Sequence, residues 1–292
     1  MPALIVVALV LALTGGSGQD APPPQGEPAA STAIRADRFD SARAWRHLTY
    51  QVSLGPRPAG SPRLAELAAY LRSRLPHGRY EAVPGHPGLR NVVGWIPGRK
   101  PAIVLAAHYD TKNLPGFVGA NDGAGGTAAV LEIARALRKL ERSRNAPEIR
   151  FVFFDGEEAT DDSRPFEATA LRGSKAYAQR HGGEIRALVL LDFVAEKGRM
   201  RIPREAGSHP GVWKRLRAAA EKVGTTDTFP PGVAGEVTDD HTPFMRRGIP
   251  AIDLIDFTFP CWHETCDDIS AVSEASLDRS GETVFEMLRS WR

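Results

Sequence analysis

The segment Ile149–Glu158, IRFVFFDGEE, is an apolar run that stops abruptly at an aspartate, a glycine and two adjacent glutamates. Its apolar part is typical of a strand that is buried on both faces of a sheet. Open α/β sheets bind their ligands at the carboxyl ends of their strands, which is where these acids stand. Because neighbouring side chains in extended or turning backbone point in different directions, Glu157 and Glu158 can face two parts of one site. That geometry suits a metal ligand beside a general base. The simpler alternative is a turn whose acidic side chains are only solvated.

The size and charge of the chain limit the classes of protein to consider. Its 292 residues, of which 42% are hydrophobic, are enough for one large α/β domain. Lys and Arg number 37 against 35 acidic residues, so the net charge of +2 provides no field that would attract nucleic acid. No internal repeat occurs, and no linker interrupts the sequence after residue 40. We therefore expect one domain over residues 39–292 and no nucleic-acid partner.

The amino terminus is a different kind of sequence. Ala3–Leu13 is apolar but shorter than the ~20 residues that span a bilayer, and small residues follow it at Gly15–Gly18. This pattern predicts a signal peptide over residues 1–18 and export to the periplasm or the extracellular space. No Lys or Arg precedes the run, so a disordered hydrophobic tail is the alternative, and no cysteine follows that would indicate a stable membrane anchor. Residues 19–38 are rich in Pro and Ala without periodicity and predict a disordered spacer.

Further apolar runs predict the other strands of the sheet, at Asn91–Ile96, Ala102–Ala107, Ala187–Leu191 and Ala251–Ile255. The first two are predicted to be neighbours joined by a turn at Pro97–Lys100. A helix is expected to begin at Ser61 and Pro62, because serine caps a first turn and proline fits its first position. Another should follow the glycine-rich segment FVGANDGAGG at Phe117–Gly126. Together these elements predict a single three-layer α/β/α domain with a central mixed, largely parallel sheet and a site at the strand carboxyl ends.

The predicted strands lead to acids or histidines. His108 and Asp110 follow the second of them, Asp192 follows a later one, and His263 lies beyond the last. Asp122 lies in the glycine-rich segment, where it would either cap the following helix or bind a cation. Each residue alone has an ordinary explanation, such as a histidine hydrogen-bonded to a local acid. Jointly, carboxylates and imidazoles without thiolates at one edge of a sheet favour a zinc site.

Several ordered motifs resemble the zinc-dependent exopeptidase superfamily, and in particular its glutaminyl-peptide cyclotransferase (glutaminyl cyclase) branch. The resemblance covers about Phe39 to Trp291. It is carried by HYDTK at His108–Lys112, FVGAND at Phe117–Asp122, FFDGEEA at Phe153–Ala159, LLDF at Leu190–Phe193, DDHTPFMRRGIP at Asp239–Pro250 and FPCWHETCDD at Phe259–Asp268.

The resemblance implies a role for each residue of the predicted site. Asp122, Glu158 and His263 would hold one zinc, and Glu157 would be the catalytic acid and base. The family also implies a cis peptide bond between Asp122 and Gly123. The other implied positions are Asp192 and Asp239 in the proton network, Trp262, Phe259 and His241 in substrate binding, and His108, Asp110 and Asp192 around a second zinc.

Two reactions fit this set of residues. In a cyclotransferase with one zinc, Glu157 would take a proton from the α-amine of an N-terminal glutamine and pass it to departing ammonia. In an aminopeptidase with two zincs, the same glutamate would deprotonate the water that attacks the first peptide bond. The motifs FVGAND and DDHTPFMRRGIP favour the cyclotransferase, although Thr160–Ala170 lacks the tryptophan that cyclases usually place there. Peptide N-termini are the expected partners in either case, and a monomer is expected.

A third hypothesis is a catalytically silent binding domain of the same fold. The presence of both Glu157 and Glu158 argues against it, since a decayed site usually loses its base or a ligand first.

Cys261 and Cys266, the only cysteines, flank His263. In an exported protein they can form a disulfide that braces the metal-ligand loop, provided that their α-carbons come within ~4.4–6.8 Å. Two small buried thiols are the alternative. Thiolate ligation of zinc is a third possibility, but the carboxylate and imidazole ligands already suffice.

Overall fold

The computed structural model describes residues 34–198 and 200–291. The strands are β1 Arg79–Ala82, β2 Arg90–Ile96, β3 Arg99–His108, β4 Pro147–Phe154, β5 Ile185–Leu191 and β6 Ala251–Leu254. The α-helices are α1 Ser41–Ser53, α2 Pro62–Arg74, α3 Ala124–Arg138, α4 Phe166–Thr169, α5 Arg172–His181, α6 Pro210–Val223, α7 Thr242–Met245 and α8 Glu274–Arg289. The predicted signal peptide and residues 19–33 of the predicted spacer lie outside the described residues, so both stay predictions.

The six strands form one sheet in the order β1-β2-β4-β3-β5-β6. Strands β4, β3, β5 and β6 run parallel, with Phe153 opposite Ala107 and Leu190 opposite Ala106. Strands β2 and β1 extend the sheet through antiparallel pairs. The predicted mixed, largely parallel sheet is therefore confirmed. Because the four parallel strands point the same way, their carboxyl ends meet at one edge.

The prediction that β2 and β3 are neighbours is wrong, because β4 lies between them. Strand β2 pairs with one side of β4 from Val92 to Ile96, and β3 pairs with the other side. The connection at residues 97–98 crosses the amino end of β4, where the Arg99 N–H donates to the Ala146 carbonyl at 2.9 Å. A strand between two partners has its backbone groups paired on both sides, which suits the apolar segment Phe151–Phe154 of β4.

Both faces of the sheet are covered by apolar side chains. Successive residues of β3 and β4 alternate between the faces, with Leu105 and Phe151 on one side and Val104 and Phe154 on the other. The first face packs against α1, α2, α3, α6 and α8, and the second packs against Tyr177 of α5 and residues of α7. This arrangement confirms the three-layer α/β/α architecture and explains why the central strands are apolar on both faces along most of their length.

The two helices expected from the sequence are present. The Ser61 hydroxyl accepts the Leu64 N–H at 3.1 Å and caps α2, which begins at Pro62. Helix α3 begins directly after Gly123 and is buried along most of its length. Among the described residues, no helix combines the length and the apolar character needed to cross a membrane.

Candidate metal centre and active site

Three side chains from different loops converge at the carboxyl edge of the sheet. Asp122 precedes α3, Glu158 follows β4 and His263 follows β6, and their ligand atoms all lie within 4.8 Å of one another. His263 Nε2 lies 3.4 Å from Glu158 Oε2 and 3.7 Å from Asp122 Oδ2. Ligands at ~2.0–2.1 Å from a tetrahedral zinc stand about 3.4 Å apart. The spacing of these three atoms therefore fits a single ion.

A second group shares Asp122 with the first. His108 Nε2 lies 3.2 Å from Asp122 Oδ1 and 3.1 Å from Asp192 Oδ1. All three side chains are buried. These distances suit either a second ion or hydrogen bonds from the imidazole to the two carboxylates. In the first case Asp122 would bridge the two ions.

The carboxylates of this site are buried with too little positive charge to balance them. Burial, together with the nearby Asp122, raises the pKa of Glu158 to about 7, and His263 offsets this only in part. Burial and the neighbouring Glu158 raise the pKa of Glu157 well above its usual range. Burial acts to lower the pKa of His108, but the surrounding aspartates outweigh it and raise that pKa well above its ordinary value. A bound divalent cation would relieve this excess of negative charge, so the donor set fits zinc.

The two glutamates leave β4 through a turn that is fixed by backbone hydrogen bonds. Asp110 accepts the Glu157 N–H at 3.1 Å and the Glu158 N–H at 3.3 Å. Asp110 therefore supports the turn, with both carboxylate oxygens engaged by backbone. Glu158 belongs to the group of Asp122, Glu158 and His263, which we call the metal group. Glu157 lines the adjoining cleft together with Asp239. The adjacent glutamates thus face two neighbouring places at the same edge of the sheet.

The peptide bond between Asp122 and Gly123 is trans, so the predicted cis bond at this position is wrong. Within residues 34–198 and 200–291, the one cis bond is Lys100–Pro101. The backbone instead turns at Gly123 through a positive φ of 94°, which costs glycine little. A Cβ at this position would lie 2.9 Å from the Asp110 carbonyl oxygen. Glycine therefore also permits the loop to approach the end of β3.

A cleft of about 330 Å³ opens beside the metal group. Its apolar wall is formed by Phe166, Val237, Phe257 and Trp262. Trp262 is 46% exposed and stacks on His263 with ring centroids 4.6 Å apart. Phe166 comes from the segment in which the expected tryptophan is missing. An apolar wall next to buried acids suits a ligand that has an apolar part against the wall and a polar group facing the acids.

Phe259 and His241, the other predicted substrate-binding residues, do not line this cleft. Phe259 is buried and packs against Phe193 with ring centroids 5.8 Å apart. His241 is buried, with Nε2 3.3 Å from Glu205 Oε2. Phe257 takes the exposed position at the cleft instead. The sequence FTF contains both phenylalanines, but it does not indicate which of them turns inward after the strand has ended.

Cys261 and Cys266 form a disulfide around His263, with their α-carbons 5.4 Å apart, which confirms the predicted pairing. His263 itself has a positive φ of 53°. Few residues other than glycine adopt that conformation without support from the surrounding structure. The bridge closes the loop on both sides of the histidine and so restricts where its imidazole can lie.

We expect the double variant Cys261→Ser/Cys266→Ser to lower the free energy of unfolding by about 2 kcal/mol, which is the loop-closure value for so short a loop. Zinc affinity should also fall, because the released loop carries His263. Denaturant titration and zinc competition measure the two effects. Thiol titration of unfolded, unreduced wild-type protein is the control, and two free thiols in that sample would contradict the disulfide.

Three buried residues near the site were not identified from the sequence. Arg57 and Asp267 form hydrogen bonds to the loop that carries Asp122. Lys112 Nζ lies 3.9 Å from Glu158 Oε2. The one indication in the sequence was that Arg57 is a charged residue within a Gly- and Pro-rich segment. That pattern does not indicate which groups the side chain contacts.

Comparison with known proteins identifies the family of this chain. The sequence profile of Peptidase family M28 matches residues 91–288. Bovine (Bos taurus) glutaminyl-peptide cyclotransferase is 32% identical over 240 residues, covering 67% of this chain and 63% of that protein. A mouse (Mus musculus) glutaminyl-peptide cyclotransferase-like protein is 33% identical over 212 residues, covering 61% and 54%. The chain thus spans less than two thirds of these curated relatives.

Solved structures share the fold over nearly their whole length. Porphyromonas gingivalis glutaminyl cyclase superposes with a TM-score of 0.76 at 28% identity, covering 87% of this chain and 99% of that chain. A leucine aminopeptidase precursor from Bacteroides thetaiotaomicron superposes with a TM-score of 0.79 at 27% identity, covering 89% and 100%. The similar structures therefore bear the names of both reactions considered from the sequence.

Proposed function

Because this chain belongs to peptidase family M28, we propose that it is a zinc-dependent glutaminyl-peptide cyclotransferase. It would convert the N-terminal glutamine of a peptide to pyroglutamate and release ammonia. The observation that carries the proposal is the position of Glu157 in an aromatic-lined cleft beside Asp122, Glu158 and His263. Relatives named glutaminyl-peptide cyclotransferase and glutaminyl cyclase support the same activity.

Asp122, Glu158 and His263 would hold the zinc. The ion supplies a Lewis acid that polarises the side-chain carbonyl of the substrate glutamine. One ion is sufficient for this chemistry, and we propose one per chain. His108 then serves as a hydrogen-bonding partner of Asp122 and Asp192, for which its distances of 3.2 and 3.1 Å are suitable.

Glu157 would carry the proton that cyclisation transfers. The α-amine attacks the side-chain carbonyl carbon, so that the ring C–N bond forms and the C–N bond to the amide nitrogen breaks. Glu157 takes the proton from the amine and delivers it to the departing ammonia, which returns the glutamate to its starting state. Asp239, beside it in the cleft, and Asp192 would complete the proton network. Trp262 would hold the body of the peptide against the apolar wall.

An aminopeptidase is the second candidate function, and the group of His108, Asp122 and Asp192 favours it. That group together with the first would hold two ions that share Asp122. Glu157 would then deprotonate the water that attacks the first peptide bond. The structural neighbour named as a leucine aminopeptidase precursor supports this alternative.

We expect the full chain to release ammonia from a glutamine-initiated peptide and to contain one zinc per chain. A coupled ammonia assay and elemental analysis measure the two quantities. The same peptide with an acetylated N-terminus is the control, because a blocked amine cannot attack. Two zincs with free amino acids as products would instead establish the aminopeptidase. If neither ammonia nor free amino acids are released from either peptide, a catalytically silent binding domain is the remaining hypothesis.

We also propose that the protein is exported and acts on peptide N-termini outside the cytoplasm. The predicted signal peptide supports export, and the Cys261–Cys266 disulfide suits an oxidising compartment. Amino-terminal sequencing of the protein from its native cells tests this, since an intact Met1 would contradict cleavage after residue 18.

A further inference from the structure

The loop that carries Asp122 is irregular backbone between the end of β3 and the start of α3. We infer that Arg57 and Asp267 are positioning residues that hold this loop, residues 117–122, so that Asp122 is fixed in place before zinc binds. The inference rests on the proposed zinc site, but it concerns two residues outside the proposed ligand set.

Asp267 binds the N–H groups of the loop. Its Oδ1 accepts the Asn121 N–H at 2.8 Å and its Oδ2 accepts the Asp122 N–H at 3.0 Å. Its backbone carbonyl accepts the Ala120 N–H at 3.1 Å. Three consecutive N–H groups, ending at the proposed ligand, are therefore bound by one residue.

Arg57 binds the carbonyl groups on the other side of the same loop. Its guanidinium donates to the Val118 carbonyl at 2.9 Å and to the Gly119 carbonyl at 3.4 Å. It also donates to the Gly55 carbonyl at 2.8 Å and the Gln51 carbonyl at 3.0 Å, so the loop is joined to the end of α1 and the residues after it. The planar fork of arginine can reach several carbonyls at once.

The two side chains match the polarity of the peptide groups they contact. The Arg57 cation faces carbonyl oxygens, and the Asp267 carboxyl faces N–H groups. Burial and the nearby Asp122 raise the pKa of Asp267 to about 7, while the Asn121 and Asp122 N–H groups and Arg57 act to lower it. The ionised carboxylate accepts from both N–H groups, and such charge-assisted hydrogen bonds are roughly twice as strong as neutral ones. Burial lowers the pKa of Arg57 to about 10, while Asp267, Asp122 and Asp110 act to raise it, so the guanidinium stays charged at neutral pH. Both side chains have 0% exposure, so water cannot replace a lost bond.

These contacts also connect the loop to other parts of the site. Asp267 directly follows Cys266, so the segment with Asp122 is tied to the disulfide-closed loop around His263. The Arg57 N–H donates to the Thr111 hydroxyl at 2.9 Å, and the Thr111 N–H donates to the Arg57 carbonyl at 3.2 Å. Loss of the side-chain contacts of Arg57 or Asp267 should therefore disturb the arrangement of the proposed zinc ligands.

The test is the zinc affinity of the full chain, measured by competition with a chromophoric chelator. In Asp267→Asn, one acceptor oxygen becomes an NH₂ group that opposes a backbone N–H. We expect a fall in zinc affinity of about 10–100-fold, the usual effect of removing a partner that orients a metal ligand. Arg57→Gln should give a similar fall. Arg57→Lys keeps the charge and should give a smaller one.

Glu282→Gln is the matched control. Glu282 is a buried carboxylate on α8 that accepts the Phe39 N–H at 2.7 Å and the Arg38 N–H, and it holds the segment before α1. Its thermal stability is measured beside that of Asp267→Asn, and it should keep wild-type zinc affinity. Asp122→Asn should lose zinc. It is the reference for the effect of removing a proposed ligand itself.

The outcomes separate this inference from the proposed zinc site. If Asp122→Asn loses zinc while Asp267→Asn and Arg57→Gln bind it as tightly as wild type, the positioning role is wrong and the zinc site stands. If Asp122→Asn keeps zinc, the ligand assignment and the inference both fail. A loss in Glu282→Gln equal to that in Asp267→Asn would attribute the effect to general destabilisation and overturn the inference. If Asp267→Asn does not fold, the zinc affinities of Arg57→Lys and Arg57→Gln are compared instead. Equal, wild-type affinities in these two variants would overturn the inference.

Discussion

Glu157→Gln is expected to abolish turnover while leaving bound zinc in place. Glu157 is only 8% exposed and lines the cleft beside Asp239. Glutamine keeps the volume and most hydrogen bonds of glutamate but cannot take a proton from the attacking amine. General acid–base catalysis contributes on the order of 10²–10⁴ in rate, and a loss of that size is expected. Zinc should remain because Glu157 is not one of the three proposed ligands.

Turnover of a glutamine-initiated peptide is measured beside the zinc content after dialysis. Glu148→Gln is the control, since Glu148 lies at the amino end of the same strand, paired with Arg150 at 2.6 Å, and should affect neither quantity. If Glu157→Gln loses zinc together with activity, the roles of the two glutamates are reversed. Full activity would place the reaction elsewhere in the molecule.

Glu158→Gln is expected to act mainly through loss of the metal. Glu158 Oε2 lies 3.4 Å from His263 Nε2, and Oε1 is buried without a hydrogen-bond partner in the part of the chain that the structure describes. Substitution by the amide removes one negative charge from the ligand set, so zinc affinity should fall. Activity should fall with it and recover in part at high zinc concentration.

Activity measured against added zinc distinguishes the two variants. Rescue is expected for Glu158→Gln and not for Glu157→Gln, because only the former has an empty site to refill. If Glu158→Gln retains full zinc occupancy after dialysis, Glu158 is not a ligand. In that case the group of His108, Asp122 and Asp192 becomes the principal metal site.

The sequence predicted the strand-end chemistry because its signal is local. A buried strand must be apolar, and the first acid after it marks where the strand leaves the core, as at Asp155 and Asp192. Parallel strands bring such positions to one edge whatever their order in the sheet. Asp122, Glu158 and His263 could therefore be placed at one edge with His108 and Asp192 before any distance was known, whereas their selection as one set of zinc ligands was implied by the family resemblance.

Pairing and side-chain direction could not be predicted because they depend on distant parts of the chain. The placement of β4 between β2 and β3 is decided by hydrogen bonds between strands far apart in sequence. Phe257 is exposed and Phe259 is buried, and the burial of Phe259 involves contacts with Phe193, which is distant in sequence. Arg57 and Asp267 lie on either side of a loop and bind its backbone groups. Those hydrogen bonds cannot be recognised from the amino-acid composition.

The position of β4 means that the sheet cannot be completed in the order in which the chain is synthesised. Strands β2 and β3 leave the ribosome first, joined by residues 97–98, a connection short enough for a direct hairpin. In the finished sheet they stand two strand spacings apart, roughly 9.5 Å, with β4 in the gap. The nascent chain must keep that gap open, or reopen it, until α3 and β4 have been made. Until β4 is in place, the edges of β2 and β3 that it covers lack their native partner, and unpaired strand edges are prone to pair with other chains.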